Sequence, residues 1–191
     1  MSNIADELDV RLGASIHRER EIRGWSLSDL AERSGVSRSM INKIERADSS
    51  PTASLLGRLS GAFGLTLSTL LARSEVFPGG RVYRAGDQTQ WRDPETGYLR
   101  RQICPAPGSD LPLDIVQVVL PPGAFVSFPS TAYTFLRQII WVLAGRLAFV
   151  EGDVTHDLAP GDCLELGAPA DCAFRNATGD PCTHVVAVLR S

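Results

Sequence analysis

Up to about residue 71, apolar residues recur every three or four positions, and beyond Ser74 that period gives way to short apolar or alternating runs cut by glycine and proline. The first pattern predicts short amphipathic helices, the second a series of strands. Leu12, Ile16 and Ile22 mark one helix in LGASIHREREIRG. In the next stretch Ser26 is placed to cap a helix, with Asp29 reaching back in the manner of a capping box, and Leu30 and Ala31 give it an apolar stripe. Gly35 falls where the chain must leave that helix with positive φ. Val36 plugs the turn, and Ser37 caps another helix that keeps Met40, Ile41 and Ile44 on one side. SSPTASLLGRLSGAFG then predicts a fourth helix, with Pro51 favouring its start and Leu55, Leu56, Leu59 and Phe63 apolar. A short last helix is expected from Leu67 to Leu71.

The strand-like runs are RVYRA, GYLRRQIC, LDIVQVVL, AFVSF, IIWVLA, RLAFV, CLELG, CAFRN and CTHVVAVL. Many short strands with turn signals between them predict a sandwich or barrel. FPGGR at 77–81 reads as the end of a linker. The expected fold is therefore α + β in two domains, 1–75 helical (core 12–71) and 76–191 all-β (core 121–189).

The stretch 27–46 carries the clearest chemistry. Away from its apolar side, the second of these two helices presents Ser37, Arg38, Ser39, Asn42, Lys43 and Arg46, a donor-rich row suited to base edges and phosphates. Arg38 is positioned to pair with a guanine and Asn42 with an adenine, whereas Arg46 and Ser28 suit phosphates. Ala31, Gly35, Ile41 and Ile44 all fall at helix-turn-helix offsets at once. From about Leu12 to Leu71 the chain resembles the phage-repressor (Cro-like, XRE) helix-turn-helix family, which implies a five-helix bundle and sequence-specific binding of double-stranded DNA.

Charge refines this reading. The chain carries a formal net charge of −3, but residues 1–75 balance ten basic against ten acidic side chains. DNA affinity must then come from where charges sit rather than from their sum. Lys43 is the only lysine, a bias that reads as genomic composition and not as chemistry. The four cysteines, Cys104, Cys163, Cys172 and Cys182, form no CxxC pair, so neither a zinc site nor a disulfide framework is expected. With no apolar run long enough to span a bilayer, the sequence predicts a soluble cytoplasmic protein with no membrane partner.

The order of turns in the second half, at Gly145, then Pro160, Gly161 and Asp162, then Asn176, resembles the cupin family over about Pro121 to Leu189. That resemblance implies a double-stranded β-helix barrel, and in its metal-binding members histidines and a glutamate at set positions. Here those positions read Phe128–Pro129–Ser130–Thr131, Gln138 and Cys172, which supply no ligand set, so no metal and no cofactor are expected. His156 is expected in a turn before Pro160, and His184 on the last strand. Phe128, Gln138, Trp141, Cys172 and His184 are candidate lining residues of a ligand pocket, with Tyr133, Ile140 and Phe174 also facing inward; equally, they fill the barrel as core. Cys172 as a redox thiol would need a neighbouring positive charge, for which Arg175 is the candidate.

Together these readings predict a non-enzymatic DNA-binding transcriptional regulator, homodimeric on a near-palindromic operator, with the barrel as sensor of a small-molecule effector. An antitoxin-like protein-binding autoregulator, and a cupin enzyme fused to a DNA-binding domain, are the other classes.

Overall fold

The computed structural model describes residues 4–72, 82–104, 111–134 and 136–190. The FPGGR segment and the expected boundary at 75/76 lie outside the described residues.

Among the described residues five helices come first: α1 (Ile4–Ile22), α2 (Leu27–Ser34), α3 (Arg38–Glu45), α4 (Ala53–Phe63) and α5 (Leu67–Ala72). Their ends are set by local chemistry. The Ser26 side chain accepts from the Asp29 N–H while Asp29 accepts from the Ser26 N–H, completing the capping box. Gly35 ends α2 at φ 65°, and the Ser37 hydroxyl caps α3 by accepting from the Met40 N–H. In α4 the expected start moves by two residues, because Thr52 caps the helix and Pro51 precedes the cap. Leu12, Ile16, Leu30, Ile41, Ile44, Leu56 and Leu59 are buried at the centre of this bundle.

Among the described residues ten strands follow: β1 (Gln90–Arg92), β2 (Leu99–Cys104), β3 (Leu113–Leu120), β4 (Phe125–Phe128), β5 (Leu136–Ala144), β6 (Leu147–Glu151), β7 (Val154–Leu158), β8 (Cys163–Glu165), β9 (Cys172–Arg175) and β10 (Cys182–Arg190). They form a six-stranded sheet, β1-β2-β3-β10-β5-β8, and a four-stranded sheet, β4-β9-β6-β7, with all pairings antiparallel. Phe174 from the smaller sheet stacks on His184 from the larger, at 5.4 Å, so the inner faces meet as the walls of a barrel. The cupin-type double-stranded β-helix expected from the turns is the architecture present.

Those turns hold the barrel together. Gly145 joins β5 to β6 at φ 77°, and a Cβ there would come to 2.5 Å from the Pro181 carbonyl oxygen. Asn176 is fully buried and its Nδ2 donates to the carbonyls of Leu120 and Asp180. Two strand assignments differ from the sequence reading. Residues 82–85 of RVYRA form no strand, and VTHDL, where a turn was expected around His156, is strand β7 paired with β6. The alternation in VTHDL is hidden by its polar residues, since this edge strand is mostly exposed.

The helical bundle rests directly on the barrel. Gly57 of α4 lies against Phe128 of β4, and Gly61 against the backbone of Thr131. Thr66 Oγ1 donates to Asp114 Oδ2 (3.3 Å), and Arg100 donates to the Ser68 hydroxyl. The buried residues of both halves form one continuous cluster.

Candidate nucleic-acid interface and barrel cavity

Ile41 and Ile44 anchor α3 in the bundle, which turns its other side outward. Ser37, Arg38, Ser39, Asn42, Lys43 and Arg46 are all exposed, and so is Ser28 near the start of α2. Ser37 also contacts the Ser39 hydroxyl at 3.2 Å, and Arg46 pairs with Asp48 at 3.2 Å, a link a phosphate would have to displace. The one carboxylate on α3 is withdrawn from this surface. Glu45, 7% exposed, receives Arg20 Nε at 2.7 Å and Arg20 Nη2 at 2.9 Å, and His17 Nδ1 lies 2.8 Å away. Burial alone would raise the Glu45 carboxyl, but the hydrogen bonds from Arg20 and His17 outweigh it and hold it below its ordinary value. The same contact holds the Arg20 guanidinium above its ordinary value. Sequence reading of the outward row missed this clamp, although the buried Arg20 sits one turn beyond Ile16 on the apolar side of α1. With Glu45 neutralised from behind, the exposed charges carried by α3 itself, Arg38 and Lys43, are both positive.

A second feature lies where the helices meet the barrel. A partly open cavity of about 60 Å³ lies between α4 and α5 on one side and inner barrel residues on the other. Phe128 and Gln138 line it, together with Tyr133 and Phe174. His184 is fully buried within the barrel, and Cys172 lines a separate, more open groove on the far side of Phe128, between α4 and β9. Trp141 is a correction. It is 47% exposed on the outer face of the six-stranded sheet, because Gln138, Ile140 and Val142 take the inward positions of β5 and strand alternation sends Ile139, Trp141 and Leu143 out. The redox reading of Cys172 also fails: burial, with Glu151 and Asp171 nearby, pushes its thiol up to about 12, and Arg175 is exposed at the end of the strand.

Phe128, Gln138 and Cys172, at the positions where metal-binding cupins carry ligands, do not fit a metal, and among the described residues no three His, Cys, Asp or Glu side chains gather to hold one. The sequence reading overlooked Arg100, which lines the cavity from β2 and is 8% exposed. The signal was present in GYLRRQIC, where alternation puts Arg100 on the same side as the buried Tyr98.

In this bundle α2, the turn at Gly35 and α3 have the helix-turn-helix arrangement, with the second motif helix exposed and donor-rich. Residues 16–70 match the helix-turn-helix family HTH_3. Over 61 residues the chain is 41% identical to the HTH-type transcriptional regulator SutR of Escherichia coli, spanning 32% of this chain and 34% of SutR. It is 36% identical over 61 residues to the HTH-type transcriptional regulator SinR of Bacillus subtilis, spanning 31% of this chain and 55% of SinR. The matched span is thus about a third of one curated relative and about half of the other. Across nearly the whole chain (98%), the fold is similar to that of an HTH_3 family transcriptional regulator from Vibrio cholerae, at a TM-score of 0.80 and 19% identity, covering 99% of that chain.

Proposed function

We propose that this protein is a DNA-binding transcriptional regulator that acts in the cytoplasm as a homodimer and responds to a small molecule through its barrel. The observation that carries the DNA-binding reading is the exposed donor row on α3, held over a scaffold in which Glu45 is already paired. Asn42 and Arg38 read bases, and Arg46 and Ser28 hold phosphates. A single module of this size contacts few base pairs, so two copies on a near-palindrome supply the needed specificity.

The second copy is accommodated on the outer face of the six-stranded sheet. There Trp141 (47% exposed), Ile139 (40%), Leu143 (38%) and Leu189 (46%) leave a row of apolar side chains uncovered on the central strands. Monomeric surfaces carry single apolar residues freely, but a contiguous patch on central strands suits an interface. Residues 1–75 serve as the DNA-binding part and 76–191 as the sensor and dimerisation part. No catalytic role is assigned, since the positions of the fold's usual metal chemistry are filled by Phe128, Gln138 and Cys172.

The test is selection of sheared genomic DNA by the purified full chain, followed by sequencing. Enrichment of one short near-palindrome is the expected result. Binding without any enriched sequence would overturn the regulator reading.

A further inference from the structure

Three polar side chains face the cavity between the helical bundle and the barrel, one bonded to a neutral hydroxyl and two with no side-chain hydrogen bond among the described residues. Arg100 is 8% exposed, and among the described residues its only hydrogen-bond partner is the Ser68 hydroxyl, with no carboxylate paired to its guanidinium. Gln138 is also 8% exposed, and its carboxamide has no hydrogen bond to any described residue. Tyr133 is 9% exposed and its phenol is likewise unbonded. All three line the same space, to which Ser60, Thr66 and Ser68 add hydroxyls, while Phe128, Phe174, Val186 and Val188 make much of the remaining wall apolar. A buried guanidinium with one neutral partner is costly, and such groups are ordinarily matched by an anion.

We propose that this cavity is a binding site for a small carboxylic acid in its ionised form. Arginine offers a planar pair of N–H donors that matches a carboxylate, and the Gln138 amide and Tyr133 hydroxyl add donors for its remaining lone pairs. One guanidinium without a paired carboxylate balances one carboxylate, whereas a phosphate dianion would remain half uncompensated in a partly open, largely apolar site. Size restricts the ligand further. A cavity of about 60 Å³, at roughly 10–15 Å³ for each water-sized unit, admits about four to six non-hydrogen atoms. That describes a two- to four-carbon acid, with its short apolar tail against Phe174 and the valines of β10.

The placement also says what such a ligand acts on. Ser68 belongs to α5 and Gly57 and Ser60 to α4, so part of the wall is the helical bundle itself. The carboxylate competes with Ser68 for Arg100, and occupancy changes how α4 and α5 sit on the barrel within a single chain. This point rests on the ligand-responsive reading given above. A ligand shifts the arrangement only by its differential affinity for the two states, and a guanidinium shared between bundle and ligand provides that difference.

The experiment uses the full chain without DNA, at constant ionic strength, titrated with acetate, propionate and butyrate, with propionamide and butyramide, and with inorganic phosphate. Thermal midpoint and heat of binding are read for each. The expected result is that an acid of this series raises the midpoint and binds at least tenfold more tightly than its amide and than phosphate. Arg100→Gln is expected to abolish that preference. Because Arg100→Gln also removes a link to Ser68, a second variant is made at Ala132, which lines the same cavity: Ala132→Leu fills it and leaves the guanidinium in place, and is expected to lose the acid as well. Equal binding of acid and amide, unchanged binding by both variants, or no midpoint shift with any of the three acids would overturn the site. Operator affinity with and without the bound acid is measured separately. Binding with unchanged operator affinity supports the site and removes the ligand response from the proposed function.

Discussion

Gly57 of α4 lies against the ring of Phe128 of β4 so closely that a Cβ at position 57 would come to 2.5 Å from Cδ1 of that ring. Glycine inside a helix ordinarily costs about 1 kcal/mol relative to alanine, so Gly57→Ala in an isolated bundle would stabilise. In the full chain the opposite is expected. Phe128 must move, its edge-to-face contact with Phe174 (6.0 Å) is disturbed, and stability falls by about 1–3 kcal/mol in denaturant unfolding. Pairing Gly57→Ala with Phe128→Leu is expected to recover most of the loss. Additive losses in the double variant would mean that helix and barrel do not meet in this way.

The Arg20–Glu45 contact ties α1 to the end of α3. Removing the carboxylate by Glu45→Gln leaves the buried Arg20 guanidinium with a weaker amide partner and the exposed Glu21 carboxylate at 2.7 Å, and about 1–3 kcal/mol of stability is expected to be lost. Since the folded carboxyl lies below its ordinary value, the unfolded chain binds the proton more readily. The contribution is thus complete above the ordinary glutamate range and is lost as pH falls through the folded value. Urea midpoints of wild type and Glu45→Gln are expected to converge on acidification, and parallel curves would contradict the pairing.

These two contacts show what the sequence disclosed and what it withheld. The caps at Ser26 and Ser37, the turn at Gly35 and the outward row on α3 were legible, because each follows from neighbours within a few residues. The turn residues Gly145 and Asn176 were legible as punctuation. Long-range pairings were not: nothing local links Arg20 to Glu45, Gly57 to Phe128 or Arg100 to Ser68, since each depends on how elements dock. Trp141 was a different failure. Ile140 and Trp141 are adjacent on one strand and cannot both point inward, so the period of two already excluded one of them; aromatic size suggested Trp141, and the buried alternation with Gln138 and Val142 decides for Ile140.

The outward Trp141 provides the check on assembly. Trp141→Lys sets a charge in the middle of the apolar row on β5 without touching the inner core. Sedimentation is expected to show a dimer for wild type and a monomer for the variant, with unchanged melting of the monomer core. Operator binding should weaken at least tenfold, since one recognition helix then acts without its mate. A dimeric Trp141→Lys variant would move the interface elsewhere.

On α3 the roles of Asn42, Arg38 and Arg46 separate by the kind of loss. Asn42→Ala and Arg38→Ala are each expected to weaken operator binding by about 1–3 kcal/mol and to relax preference at one base position. Arg46→Ala should weaken all sequences alike and lower the salt slope by about one. Binding measured on single-base operator variants at two salt concentrations distinguishes the two. A uniform loss for Arg38→Ala would make it a phosphate contact.

His184 gives the barrel its own pH dependence. The ring is fully buried, stacks on Phe174 at 5.4 Å and 9°, and has no hydrogen-bond partner for Nε2 among the described residues. Burial pushes it down from 6.5 to about 3. Between those values the unfolded chain holds a proton that the folded barrel refuses, so stability declines as pH falls from about 6.5 toward 3, by up to about 1.4 kcal/mol per pH unit. This loss begins two units above that of Glu45, so the two are separable by range. His184→Leu, close in volume, is expected to stay within about 1.5 kcal/mol of wild type at pH 7 and to flatten the decline between pH 6 and pH 5. Urea unfolding at half-unit steps over that interval reads the difference directly, and an unchanged slope in the variant would mean that His184 reaches its proton in the folded state.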